Sequence, residues 1–596
     1  MWFQTKSRKY KSARHLGKDF LCFWEVIQSR SPLALPMKKF VLFLALALAS
    51  LTANATELVQ LIQTYQADRG ALSRLYTNRL STEYFNRMES FTQDYLKTLQ
   101  AQPYATLSED GKIDYVLFRN YLEKELATLD LDKRDFMQVQ SAVTFGKPLE
   151  DFVSARRRSK QPDAQALAAS WNEVAKAVDA RLKALPAASK YDSWQKADLA
   201  AQTVESLHKV TKEAYDFYVE FDPSFTWWMP APWKKLDASL KSYAKGLREH
   251  YANSVKDDGS GIIGKPIGRE ALEKQLAYEM IAYSPEELIA EAEKQFAWCE
   301  KEMLKASNEL GFGNDWKAAL ELVKNTYLPA GAWPQEVTRL GEEAIDLMVK
   351  NDWLTVPPLA IETWRTSMIS AERQRVSPFF LGGEVIQIAY PTAEMSHEEK
   401  MMSMRGNNPH FSRATVQHEL IPGHHLQQFM NQRHMTHRRP FGTPFWTEGW
   451  ALYWEFVLWD RNFPRDAKDK VGMLFWRMHR AARIIFSLNY HLGKMTPQQC
   501  IDLLVNRVGH EPANAEAEVR RSFEGSYGPL YQIAYMIGAL EIYALRKEMV
   551  DSGKMPEKTF HDLILTQNAM PIEILRARVM GKTLNPSHKA SWKFLD

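Results

Sequence analysis

The stretch Gln417-His418-Glu419-Leu420-Ile421-Pro422-Gly423-His424-His425-Leu426-Gln427 constrains this chain more than any other. A His-Glu pair on a helix, followed one turn later by a second histidine, can hold a single metal ion, because residues four apart share a face. Here the position one turn after His418 is Pro422, which cannot ligate. The next histidines stand six and seven positions on. In an unbroken helix the seventh position lies on the same face but about 10 Å along the axis. That is too far for two imidazoles whose bonds to zinc are about 2.0 Å. Pro422 also lacks an N–H and clashes with the carbonyl four residues back, so helix continuity is disfavoured. A two-residue bulge at Pro422-Gly423 absorbs the excess, brings His424 to the second-ligand position and turns His425 away. His425 remains the rival ligand. The metal-free alternative is a buried helix with a Pro-Gly kink and satisfied histidines.

The next segment, Trp446-Thr447-Glu448-Gly449-Trp450-Ala451-Leu452-Tyr453-Trp454-Glu455, offers a third ligand from a second helix. Glu448 and Glu455 are seven apart and share a helix face two turns apart, so only one can reach the metal. Glu448, nearest the helix start, is the expected ligand. Glu455 is expected behind it or in a salt bridge.

HELIPGHHLQ followed by TEGWALYWE resembles the bacterial DUF885 family, whose pattern is HE-x-x-PGH-x-LQ and then EGWA-x-Y. The resemblance spans most of the chain after residue 56. It implies a zinc metallopeptidase-like protein and favours His424 over His425. Two later segments also match. Arg483 and His491 fit R-x-x-x-D-x-G-x-H, although Ser487 and Asn489 replace the Asp and the Gly. Gln532, Tyr535 and Gly538 fit P-G-Q-A-x-x-Y-x-x-G, with Leu530-Tyr531 where Gly is expected.

With 596 residues the chain can bury a large core. Met37-Lys38-Lys39, the apolar run Phe40 to Leu51, and Ala53-Asn54-Ala55 form the three regions of a signal peptide over 37–55. The run is shorter than the roughly 20 residues of a membrane span. Residues 1–36 read as an upstream start-site artefact. The formal charge of the whole chain is +4; without 1–36 (+5) and 37–55 (+2) it becomes −3. The basic balance therefore resides in the leader and does not support nucleic-acid binding. The expected protein is periplasmic or otherwise exported, with no stable membrane insertion after cleavage. Cys299 and Cys500 lack metal-binding spacing and read as buried thiols, a single disulfide being the alternative.

Three-to-four apolar spacing dominates from Thr56 to about residue 375, as in Leu58, Leu61, Ile62 and Tyr65. The expected fold is mainly α, two-lobed with a deep cleft, and zinc-peptidase-like. It has a helical lobe over 56–375, a zinc-site lobe over 376–596, and a small β-hairpin or sheet. Ser284-Pro285-Glu286-Glu287, Ser396-His397-Glu398-Glu399 and Thr496-Pro497-Gln498-Gln499 mark helix starts with capping boxes. Breaks are expected at 257–261 and at the aromatic–proline run 225–233, the latter as a packed loop or a cleft lining. Residues 382–391 give the best strand, either a structural hairpin or a holder of substrate backbone. The His434–Pro440 stretch reads as a solvated loop.

Two imidazoles and a carboxylate leave a fourth zinc position open, which marks a catalytic site. His418, His424 and Glu448 are the expected ligands and Glu419 the general base. Tyr535 or His491 would supply a donor to the developing oxyanion. Arg483 or Arg521 would hold a substrate carboxylate, with salt bridges as their alternative role, and Gln532 is expected beside them. The expectation is an exported zinc peptidase acting on peptide substrates. A zinc hydrolase of other amides or esters and a non-catalytic helical binding protein are the alternatives.

Overall fold

Helices order most of the described residues, and their starts follow local chemistry. The computed structural model describes residues 58–185, 191–251, 257–374, 382–524 and 527–595. The leader readings, 1–36 and 37–55, lie outside the described residues. All three expected capping boxes form, with Ser284, Ser396 and Thr496 accepting from the third helical N–H and Glu287, Glu399 and Gln499 reaching back. Among the described residues, no helix is long and apolar enough to cross a membrane. Contacts join Val59–Asp596 into one compact unit.

Helices Lys147–Arg156, Ala164–Ala184, Trp194–Val219 and Pro230–Tyr251 pack around Phe152, Trp171, Tyr215, Phe225 and Trp233. The aromatic–proline run belongs to this bundle, and its expected break falls at Met229, but between two helices rather than in a packed loop. Asp222 caps Pro223–Trp228, and a second helix begins at Pro230. Proline at the first turn starts a helix because that N–H has no helical partner anyway. Phe225, Met229 and Trp233 are buried while Trp227 is 82% exposed, so the run neither forms a loop nor lines the site cavity.

The only sheet among the described residues has two parallel strands, β1 (Arg365–Met368) and β2 (Val385–Ile388), with Arg365 opposite Val385. β2 is the expected strand. The hairpin is not formed, because β1 runs parallel to β2.

The His434–Pro440 stretch is also corrected. Arg438 is fully buried; its Nε lies 2.6 Å from Asp114 Oδ1, and His437 Nε2 lies 2.8 Å from Asp114 Oδ2. Asp114 belongs to the Glu109–Val139 helix. That helix also meets residues near the other end of the described chain: Asp110 pairs with Arg578 at 3.1 Å, and Arg119 donates to the Pro586 carbonyl at 2.6 Å. Cys299 and Cys500 are free and buried.

Candidate metal centre

The first motif helix, Pro409–Glu419, is capped by Asn408 and ends at Leu420, whose backbone (φ −107°, ψ −106°) is not helical. The Ile421–Pro422 peptide is cis, and a second helix, His424–Asn431, starts after Gly423. The expected bulge is thus a complete break between two helices. Gly423 is required there: a Cβ would fall 1.8 Å from the His418 carbonyl oxygen. Trp450 Nε1 donates to the Pro422 carbonyl at 2.8 Å and ties the break to the Pro444–Asp460 helix.

That helix carries Glu448 and crosses Tyr531–Arg546 at a pair of glycines. A Cβ on Gly538 would lie 1.9 Å from the Phe445 carbonyl oxygen, and one on Gly449 would lie 2.5 Å from the Gly538 carbonyl carbon. The backbones therefore touch, which brings Tyr531 and Tyr535 to Glu448. The Tyr531 hydroxyl donates to Glu448 Oε1.

His418, His424 and Glu448 present ligand atoms all within 4.8 Å of one another. Glu448 Oε2 lies 3.2 Å from His424 Nε2 and 3.7 Å from His418 Nε2. His418 Nδ1 faces Glu455 Oε1 at 2.8 Å, and His424 Nδ1 faces Gln427 Oε1 at 3.4 Å. In its neutral form each ring, with its hydrogen on Nδ1, would turn a bare Nε2 toward Glu448. Three acceptor atoms converge on one point, and Glu448 Oε2 is buried without a hydrogen-bond partner among the described residues. A buried carboxylate oxygen of this kind is costly unless a proton on His424, 3.2 Å away, or a bound cation answers it. Electrostatics carries the same signature. Burial lowers the proton affinity of His424, but Glu448 more than offsets this and raises it. Burial would raise Glu448, yet His424 and His418 hold it well below the usual carboxylate range. His425 points elsewhere, its Nε2 2.8 Å from the Ala360 carbonyl oxygen.

Glu419 lines the same cavity, of about 390 Å³, together with the three candidate ligands. Burial raises its carboxyl above the ordinary range, against the pull of His424 and His418. Gly382, just before β2, packs so closely that a Cβ there would lie 2.1 Å from Glu419 Oε2, and Gly383 N donates to the Glu419 carbonyl at 3.2 Å.

Of the remaining expected residues, Tyr535, Arg483 and Arg521 line the cavity. His491 does not: it packs against Tyr490 and Phe523, and burial lowers its pKa to about 4. Gln532 is also absent from the wall; it donates to Glu518 Oε1 at 2.9 Å and to the Ser522 hydroxyl. Arg483 Nε pairs with Glu518 at 2.7 Å and Arg521 Nε at 3.0 Å, so the salt-bridge alternative holds for part of each arginine. Burial would raise Glu518, but Arg483 and Arg521 hold it down at about 2. Sequence reasoning missed Tyr531, Arg480 and Glu518. Helical spacing gave a signal for each: Tyr531 is four before Tyr535, and Arg480 and Glu518 are three before Arg483 and Arg521. A second acidic cluster, His410 with Asp466 and Asp469, needs no metal, since Arg465 and Arg413 lie 2.7 and 3.3 Å from Asp469.

This mainly helical chain belongs to the family described as bacterial protein of unknown function (DUF885), which it matches over residues 64–579. A structure described as a candidate lipoprotein of unknown function from Shewanella oneidensis is similar, with a TM-score of 0.62 at 18% identity. That match covers 88% of this chain and 99% of the other. A candidate lipoprotein from Colwellia psychrerythraea gives a TM-score of 0.57 at 17% identity, covering 89% and 99%. These likenesses establish the fold. No curated protein matches.

Proposed function

We propose that this chain is an exported zinc-dependent peptidase. The observation that carries the reading is the meeting of His418 Nε2, His424 Nε2 and the unpartnered Glu448 Oε2 beside Glu419. Two imidazoles and one carboxylate are a zinc donor set that leaves room for water or substrate. Zinc bound there supplies Lewis acidity, polarising a carbonyl and acidifying water. Glu419 takes a proton from the attacking water and returns it to the leaving amine. Its raised proton affinity suits that exchange. Tyr535, with its pKa raised to about 12 chiefly by burial, stays protonated and donates to the carbonyl oxygen as negative charge develops. Glu455 and Gln427 hold the two imidazoles in the tautomer that exposes Nε2. Export is supported by the leader pattern over 37–55 and by the description of both structural neighbours as candidate lipoproteins.

The test is metal analysis of purified protein together with digestion of a peptide library. About one zinc per chain and zinc-dependent cleavage are expected. Glu419→Gln should retain zinc and lose about 10²–10⁴-fold in kcat. Cleavage of esters or non-peptide amides without peptides would assign the other hydrolase reading. Full activity in Glu419→Gln would refute the mechanism.

A further inference from the structure

The cavity holds more positive charge than the hydrolytic step uses. Arg480 and Arg483 stand one turn apart on the Ala467–His491 helix, and Arg521 joins them from Pro512–Phe523. Arg480 is 5% exposed and Arg483 3%. Two carboxylates answer these three guanidiniums. Glu518 is shared by Arg483 and Arg521. Glu455 lies 3.7 Å from Arg480 and already accepts from His418. The hydrogen bonding is incomplete as well: Arg483 Nη1 and Arg480 Nε are buried without a partner among the described residues. Buried donors of this kind are costly unless a ligand supplies an acceptor.

The guanidiniums also sit beside the hydrolytic centre. The Tyr535 ring stacks on His418 at 6.3 Å between centroids, and Arg480 and Arg483 lie 4.7 and 4.4 Å from the Tyr535 centroid. One aromatic ring thus separates a proposed zinc ligand from the arginines. An extended residue spans about 3.3–3.6 Å. A group held by the arginines is therefore one or two residues from the bond under attack.

We propose that Arg483, with Arg480 and Arg521, binds the free α-carboxylate of the substrate, making this chain a carboxypeptidase that removes one or two residues. The inference rests on the peptidase reading above. The planar guanidinium fork matches two carboxylate oxygens, which a lysine cannot do. Glu518, held by Gln532, positions Arg483 and Arg521. Water adds its hydroxyl to the acyl carbon, the C–N bond breaks, and the remaining proton goes to the amine of the released piece.

The test uses an N-acetylated tetrapeptide library in two forms, free acid and carboxamide, both containing Asp and Glu at randomised positions. Binding is read as the melting-temperature shift of zinc-loaded Glu419→Gln, and cleavage by mass spectrometry with the unsubstituted protein. The free-acid library should raise the melting temperature. The carboxamide form should need roughly ten- to hundredfold more peptide for the same shift. Arg483→Lys, which keeps the charge and loses the fork, should narrow that difference. Equal shifts from both libraries, or none from either, overturn the carboxylate site; so do shifts from the carboxamide form confined to its acidic members. Zinc-dependent cutting of amidated peptides at internal bonds overturns the carboxypeptidase assignment and leaves the peptidase reading intact. Selective free-acid binding without any cleavage retains the anchor and removes the peptidase reading.

Discussion

Replacing Gly538 with alanine tests whether the crossing of two helices sets the proposed metal site. The new Cβ would lie 1.9 Å from the Phe445 carbonyl oxygen, where ordinary contact starts at 3.4 Å. The backbones must separate by about 1.5 Å, and no flexible side chain is present at that contact to yield instead. Overpacking of this kind costs typically 1–3 kcal/mol, and backbone-on-backbone contact places this case near about 3. The displacement would reach the site directly. Glu448 precedes Gly449 on one helix, and Tyr531 and Tyr535 lie on the other. Glu448 Oε2 is 3.2 and 3.7 Å from the two Nε2 atoms, so a shift of this size breaks the convergence. A misplacement of about 1 Å costs on the order of 10²-fold in rate. Urea unfolding, zinc content after dialysis and peptide kcat/KM are the assays. Gly528→Ala is the control, because nothing lies within 4 Å of its Cβ position. If Gly538→Ala unfolds with the unsubstituted protein and retains zinc and activity, the crossing does not position the site.

Further outcomes follow from the same geometry. His424→Ala should lose zinc on dialysis while His425→Ala keeps it, because His425 is bonded to the Ala360 carbonyl; the reverse pattern would refute the assignment. Glu455→Gln weakens the acceptor behind His418 and should lower zinc affinity about 10–100-fold in a competition assay. Glu518 is held down at about 2 by Arg483 and Arg521, from an ordinary 4.5. Its ionisation therefore contributes stability that is complete above the unfolded value and is lost as pH falls through the folded one. Unfolding free energies between about pH 5 and about pH 2 should fall less steeply in Glu518→Gln; parallel curves would refute this.

What the sequence disclosed was what short-range chemistry decides. The capping boxes at Ser284, Ser396 and Thr496 each need only four consecutive residues, and all three form. The alternation in Val385–Ile388 marked a strand, but its partner Arg365–Met368 is exposed and carries no apolar alternation. The parallel pairing was therefore hidden. Pro422 announced a discontinuity, and its spacing led to His424, but the full break at Leu420 depends on tertiary contacts such as the Trp450 bond to Pro422. His491 failed because its ring packs against Tyr490 and Phe523 instead of facing the cavity, a tertiary contact that helix spacing does not show. Arg438 was misread because its counter-charge, Asp114, lies 324 positions away.

That long-range pairing bears on the order in which the molecule can assemble. Asp110 and Arg119 of an early helix meet Arg578 and Pro586, over separations of 468 and 467 residues. At equilibrium such distance costs little, since loop-closure entropy grows only with the logarithm of length. In time it costs more, because non-local contacts are the slow ones to form. A chain made or threaded from its N-terminus must hold Asp110 and Asp114 without their cationic partners until hundreds of later residues arrive. The seam that closes around the Glu109–Val139 helix is therefore a late event, however quickly the neighbouring bundle assembles.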